Sequence, residues 1–229
     1  MTLRQLLATH PHVLLDFDGP VCAVFGGTLS APAVAEDLAE EGRWRGLDLP
    51  VDAPASGDPF DVLHAAARLG AEPARIIEQA LQRAEVRAVD SAPITPGVRD
   101  ALDAMRSVGH DVTIVSNNSA AAVHHFLAAH GLTDVIPAVV ARTEADPALL
   151  KPSAHLLTLA IQQGARVPAE CVLIGDSLTD VVAAHAAGTA VIAYANKPGK
   201  RDALGKLGPD AIIETLSEIT HATARPRVP

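Results

Sequence analysis

Short uninterrupted apolar runs alternate with longer segments whose apolar residues recur every three or four positions. These two periods assign most of the chain. The first run, Val13-Leu14-Leu15, has no polar alternation and leads into Asp16-Phe17-Asp18-Gly19-Pro20. It predicts a strand over Val13–Phe17 that is covered on both faces. Similar runs predict strands at Val112–Val115, Val135–Ala141, Cys171–Ile174 and Ala190–Tyr194, with a short last one at Ala211–Ile213. Helical spacing marks Ala120–His130, Pro152–Gln163, Leu178–Ala187 and Leu216–Thr223. Another helix opens at Thr95-Pro96-Gly97, repeats Val98, Leu102, Met105 and Val108 on one face, and stops at Gly109. Residues 1–11 read as a lead-in with a helical turn, and Arg225–Pro229 as a disordered tail.

Between Val21 and Pro93 the pattern is helical only. Ala31–Gly42, Pro59–Leu69 and Pro73–Val89 carry apolar stripes, and Arg43–Gly57, rich in Pro, Gly and Asp, reads as a loop. The expected architecture is α/β. A doubly wound, mostly parallel sheet formed by 1–20 and 94–224 is interrupted after its first strand by a helical insertion over 21–93. Ligands of such sheets bind outside the carboxyl ends of the strands. Polar residues gather at those ends here: Asp16 and Asp18 after the first strand, Ser116 after the second, and Asp176 and Asp180 after Cys171–Ile174. Lys151 lies in the loop before another helix.

Composition narrows the class. The 229 residues are 48% hydrophobic and 20% charged, with aromatics at 3%, which suits an aliphatic core of helices on a sheet. The net charge of −9 argues against nucleic acid as partner, since no basic stripe offsets it. Cys22 and Cys171 match no metal spacing and read as reduced packing residues. No leader pattern opens the sequence and no apolar run reaches membrane-spanning length, so the expectation is a soluble cytoplasmic protein without a membrane partner.

The two early aspartates pose a physical problem. Residues two apart on a strand share a face, so Asp16 and Asp18 leave the strand end together while Phe17 turns inward. Two carboxylates about 4 Å apart repel by roughly 4 kcal/mol at an effective dielectric near 20. A shared proton or a hard divalent cation such as Mg²⁺ would offset that. The plainer alternative is a turn-forming Asp-Gly after a strand.

The order Asp16-Phe17-Asp18-Gly19, Ser116, Lys151-Pro152, then Gly175-Asp176-Ser177-Leu178-Thr179-Asp180 resembles the four motifs of the haloacid dehalogenase superfamily. Within it, the chain is similar to the phosphoglycolate-phosphatase-like subgroup, whose C1-type helical cap the insertion resembles. Pro20 departs from the pattern, standing where many members have threonine. The resemblance implies Asp16 as nucleophile and Asp18 as general acid and base. It implies Mg²⁺ held by Asp16, the Asp18 main-chain carbonyl and Asp176, with Asp180 in support. It also implies Ser116, the Asn117 N–H and Lys151 as phosphate ligands.

The expected activity is therefore Mg²⁺-dependent hydrolysis of a small phosphorylated metabolite through an aspartyl-phosphate. Asp18 argues against a dehalogenase, which needs no acid there. The lysines are Lys151, Lys197, Lys200 and Lys206, so the insertion has none to form the Schiff base of a phosphonate hydrolase. A sugar-phosphate mutase on the same core, or a silent binding scaffold, stays open at this stage. His124 and His125, adjacent on a helix, read as surface residues. Arg43, Trp44 and Arg45 read as solvated, and Asn196–Lys200 reads equally well as site rim or as solvated turn.

Overall fold

The computed structural model describes residues 1–224; the tail expected at 225–229 lies outside them. Strands β1 His12–Leu15, β2 Asp111–Ser119, β3 Ala138–Arg142, β4 Cys171–Gly175, β5 Ala190–Tyr194 and β6 Ala211–Ile213 form one sheet, in the order β3-β2-β1-β4-β5-β6. Every neighbouring pair is parallel. The α/β, doubly wound expectation holds.

The sheet is covered on both faces because its strands are apolar on both. Val13 and Leu15 join one core with Leu102, Phe126 and Ile219, on α5 Val98–Ser107, α6 Ala120–Ala129 and α10 Ser217–Thr223. Leu14 points the other way, to Leu157, Val181 and Leu204 on α7 His155–Gln163, α8 Leu178–Ala187 and α9 Lys200–Gly205. Ile77 and Leu81 from the 21–93 segment join that second core. This is the period-two alternation of a strand buried on both faces.

Several boundaries differ from the sequence reading. The first strand stops at Leu15 rather than Phe17. The Asp16 N–H still donates to the Ile174 carbonyl (2.9 Å), but the Phe17 N–H turns to the Asp16 carboxylate (2.8 Å) and leaves the ladder. Phe17 does turn inward and meets Phe126 edge-on at 5.4 Å. The third strand starts at Ala138 rather than Val135. Val135 and Ile136 donate back to the Leu132 carbonyl in the turn after α6, and Pro137 separates them from the ladder. The lead-in is a two-turn helix, α1 Leu3–Thr9, started by a reciprocal cap between Thr2 and Gln5. Helix α7 begins at His155, after a turn at Pro152-Ser153, and α9 was not anticipated.

Residues 21–93 contribute α2 Ala31–Trp44, α3 Pro59–Leu69 and α4 Ala71–Val89, which pack on one another. Helix α2 runs to Trp44, so the expected loop starts two residues late. The segment leaves and rejoins the core at adjacent points. Ala23 donates to the Pro93 carbonyl (3.1 Å) and Thr95 to the Val21 carbonyl (2.9 Å), an antiparallel bridge around Cys22 and Ile94. Among the described residues no helix is long and apolar enough to cross a membrane.

A buried ionic cluster joins α4 to the sheet. Glu85 is fully buried and accepts hydrogen bonds from Arg142 Nη2 (2.5 Å), the Ser119 N–H (2.9 Å) and Asn118 Nδ2 (3.1 Å). Arg142 also donates to the Asn117 carbonyl (3.0 Å) and lies 3.3 Å from Glu78. Removing one partner of a buried pair strands the other charge, at a cost of about 3–5 kcal/mol. Arg142→Met should therefore lower unfolding stability by about that amount. Urea denaturation reads it, and a loss under about 1 kcal/mol, the worth of an exposed pair, would show that Glu85 finds other compensation.

Candidate active site

The chain builds β1, β2 and β3 in one direction and returns to lay β4 on the other side of β1. Such a reversal opens a crevice at the carboxyl ends of the two strands on either side of it. Asp16 follows β1 there, Asp176 follows β4, and Lys151 arrives from the loop between β3 and α7.

Lys151 is the centre of the charge arrangement. Its Nζ donates to Asp16 Oδ1 (2.7 Å), Asp180 Oδ1 (2.6 Å) and the Val115 carbonyl (3.1 Å), and all three charged side chains are buried. Burial works against the ammonium, but the two carboxylates outweigh it and raise its pKa. Burial pushes Asp16 well above the usual carboxylate range, and the Asp180 charge adds to that against Lys151. Burial also opposes the Asp180 charge, yet Lys151 and donors from Ser177 hold it below that range.

Asp180 gets its place from local structure. Ser177 caps α8, and Asp180 returns the bond through Oδ2 to the Ser177 N–H (3.0 Å) and hydroxyl (2.6 Å). That box leaves Asp180 Oδ1 for Lys151. Asp176, half-buried, is approached by Gly19 at φ +107°. A Cβ on Gly19 would stand 2.4 Å from Asp176 Cγ, so only glycine allows the two loops to meet. The Gly19 carbonyl is tied to the Thr95 hydroxyl (2.6 Å), which braces the loop bearing Pro20.

Asp16, Asp176 and Asp180 each present an oxygen, all within 4.8 Å of one another. These donors fit a hard divalent cation: all are carboxylate oxygens, and positive charge would relieve their repulsion. The cluster differs in one member from the expected set, which relied on the Asp18 main-chain carbonyl. Asp18 has its carboxylate on the crevice, where it accepts the Val24 N–H (2.9 Å). Desolvation by the crevice walls raises it to about 6 although the residue stays exposed, against the Val24 bond that lowers it.

The second strand's loop is arranged differently from the simple expectation. Ser116 is fully buried, and its hydroxyl accepts the Asn118 N–H (3.1 Å) and donates to Asn118 Oδ1 (3.2 Å). It shapes the loop from inside and does not line the crevice. Asn117 does line it, and its side chain clasps the Lys151 backbone in both directions, at 2.8 and 3.1 Å.

Sequence reasoning missed the partners of Asp176. Lys200 Nζ makes an ion pair with the Asp176 carboxylate and donates to its carbonyl (2.9 Å), and Asn196 Nδ2 donates to Oδ2 (3.0 Å). These are the rim residues left undecided above. The one available signal was their position just after β5, beside β4. Glu85 and Arg142 were missed as well. Arg43, Trp44 and Arg45 end α2 away from the crevice, with Trp44 93% exposed. His125 pairs with Asp90 on the surface (2.7 Å), and both cysteines are free and buried.

The crevice is a cavity of 510 Å³, with Asp16, Asp18, Lys151 and Asp176 on one side and residues of the 21–93 segment on the other. Residues 60–194 match the family model described as haloacid dehalogenase-like hydrolase. A phosphoglycolate phosphatase of Cupriavidus necator is 33% identical over 135 residues, 55% of this chain and 54% of that protein. The chain spans about half the length of that relative. Among solved structures, a predicted phosphatase from Clostridium acetobutylicum aligns with a TM-score of 0.72 at 14% identity, over 93% of this chain and 97% of that one. CbbY from Rhodobacter sphaeroides, solved with phosphate, aligns with a TM-score of 0.69 at 19% identity, over 92% and 96%. At these identities the structures share the fold. The family match starts after Asp16 and Asp18, but it covers more than half of the chain and contains Lys151, Asp176 and Asp180. This chain belongs to the haloacid dehalogenase-like hydrolase family.

Proposed function

We propose that this protein is a Mg²⁺-dependent phosphatase that hydrolyses a small phosphorylated metabolite through an aspartyl-phosphate. The observation that carries this reading is Asp16, fixed by Lys151 and beside Asp176 at the floor of the cavity. The names of the curated relatives, phosphoglycolate phosphatases, point to the same chemistry, as does the phosphate bound to CbbY.

Asp16 Oδ1 is held by Lys151 and by the Phe17 N–H, which leaves Oδ2 as the attacking atom. It bonds to phosphorus as the ester oxygen departs. Asp18, raised to about 6, is poised to carry the proton given to that oxygen. It then takes one from the water that attacks the phosphoaspartate. Lys151 and the Asn117 N–H face the phosphoryl oxygens, where donors fixed in place stabilise developing charge. Mg²⁺, held by Asp16, the Asp18 carbonyl and Asp176, would neutralise charge on the nucleophile and the phosphoryl group. Asp180 keeps Lys151 charged and in position. Residues 21–93 act as a cap over the cavity.

Three outcomes follow. Phosphate release from an aryl phosphate should fall to the no-enzyme rate in Asp16→Asn; activity near the parent's would remove Asp16 from the nucleophile role. Chelation by EDTA should abolish turnover and added Mg²⁺ restore it, so full activity in EDTA would contradict a metal role. Gly19→Ala, which pushes on Asp176, should weaken Mg²⁺ binding by about tenfold, or ~1.4 kcal/mol, in calorimetry; unchanged affinity would mean Asp176 is not a ligand.

A further inference from the structure

We infer that the leaving group of the substrate carries no carboxylate and is instead neutral or cationic. This rests on the phosphatase reading, and it concerns the part of the cavity that the reacting groups do not occupy.

The cavity wall opposite Asp16 and Lys151 comes from the 21–93 segment. Its apolar members include Phe25 and Phe60, and its charged and titratable ones are Asp58, which caps α3 by accepting the Phe60 N–H, and Asp61 and His64 in the first turns of that helix. Among the described residues, no lysine or arginine of this segment lines the cavity. A leaving group extends from the phosphoryl site toward this wall. A carboxylate placed there would meet two aspartates, and the single imidazole of His64 cannot offset both.

Most cations close by are committed elsewhere; Lys197, exposed after β5, acts on Asp18 at the reaction end and not on the Asp58 side of the wall. Arg142 lies 5.7 Å from the centre of the Phe60 ring, but its guanidinium is bound to Glu85, Glu78 and the Asn117 carbonyl. Lys151 is shared between Asp16 and Asp180, and Lys200 sits on Asp176. Arg68, one turn beyond His64, does not line the cavity but an adjoining hollow that shares Ser56, Asp61 and His64 with it. Among the described residues Lys151 and His64 are thus the basic side chains on the cavity lining, against five aspartates at 16, 18, 58, 61 and 176. Magnesium and the phosphoryl group cancel charge at the reaction end and leave the α3 end negative. The acids are not a site by themselves; they are the far wall of the cavity that holds Asp16. That wall suits an amine or hydroxyls, with Phe25 and Phe60 flanking the carbon chain. It does not suit the substrate named by the curated relatives, whose leaving group carries a carboxylate.

The test compares phosphoglycolate, glycerol 1-phosphate and 2-aminoethyl phosphate at equal Mg²⁺. The expected kcat/KM is at least about tenfold lower for phosphoglycolate than for the other two, a difference of ~1.4 kcal/mol. Asp61→Lys should narrow that ratio by about tenfold. Equal or better turnover of phosphoglycolate by the parent chain would overturn the inference. Calorimetry on Asp16→Asn reads the same preference without turnover. Failure to hydrolyse any ester, with the binding preference intact, overturns the phosphatase reading alone. Equal binding of all three overturns the leaving-group inference alone, and no binding of any overturns both.

Discussion

The Lys151 ammonium, 2.7 Å from one buried carboxylate and 2.6 Å from another, is the contact on which the crevice depends. Asp16 follows β1 and Asp180 lies in the first turn of α8, and burial alone would drive both toward protonation. One cation between them lets both loops close over the strand ends. The surroundings are organised to keep it there. Asn117 clasps its backbone, Ser177 turns the second oxygen of Asp180 away, and the Val115 carbonyl takes a third proton of the ammonium. Asp176 has its own lysine, Lys200, from the far side of β5. The acidic centre is thus divided into two lysine-bridged halves, the first with one carboxylate in excess, and Asp18 stands at the mouth.

The helical 21–93 segment is fastened to this centre more firmly than an appended lid would require. Glu85 accepts hydrogen bonds from Asn118 and Ser119 in the loop after β2, and Arg142 holds the carbonyl of Asn117 in the same loop. The loop that brings Asn117 to the cavity is therefore braced from the segment that forms the opposite wall.

Much of this was legible in the sequence because it follows from periodicity. Apolar runs such as Cys171–Ile174 have one use in an alternating α/β chain, and polar residues at their ends fall on one side of a parallel sheet. Boundaries were less legible. The Phe17 N–H chose a side-chain oxygen over the ladder, and Val135-Ile136 served a turn although it reads as strand. Partnerships between distant buried charges were illegible for a different reason. Glu78 and Glu85 lie among Ile77, Leu81, Ala84 and Ala88 on α4. A glutamate on an apolar stripe signals a hidden cation, but nothing local says which one. Lys200 was similar: its partner is 24 residues away on a neighbouring strand end.

The paired segments around Cys22 and Ile94 have a consequence for how such a chain can diversify. Because the exit and the return are bridged, the core sees the whole insertion as a short closed gap. The entropy of closing a loop rises only with the logarithm of its length. Length between those two points can drift at small entropic cost, provided Ile77 and Leu81 keep their place in the core and an acid is kept for Arg142. The strand ends that carry Asp16 and Asp176 then stay as a fixed frame, and the remaining positions of the inserted helices become an exchangeable part.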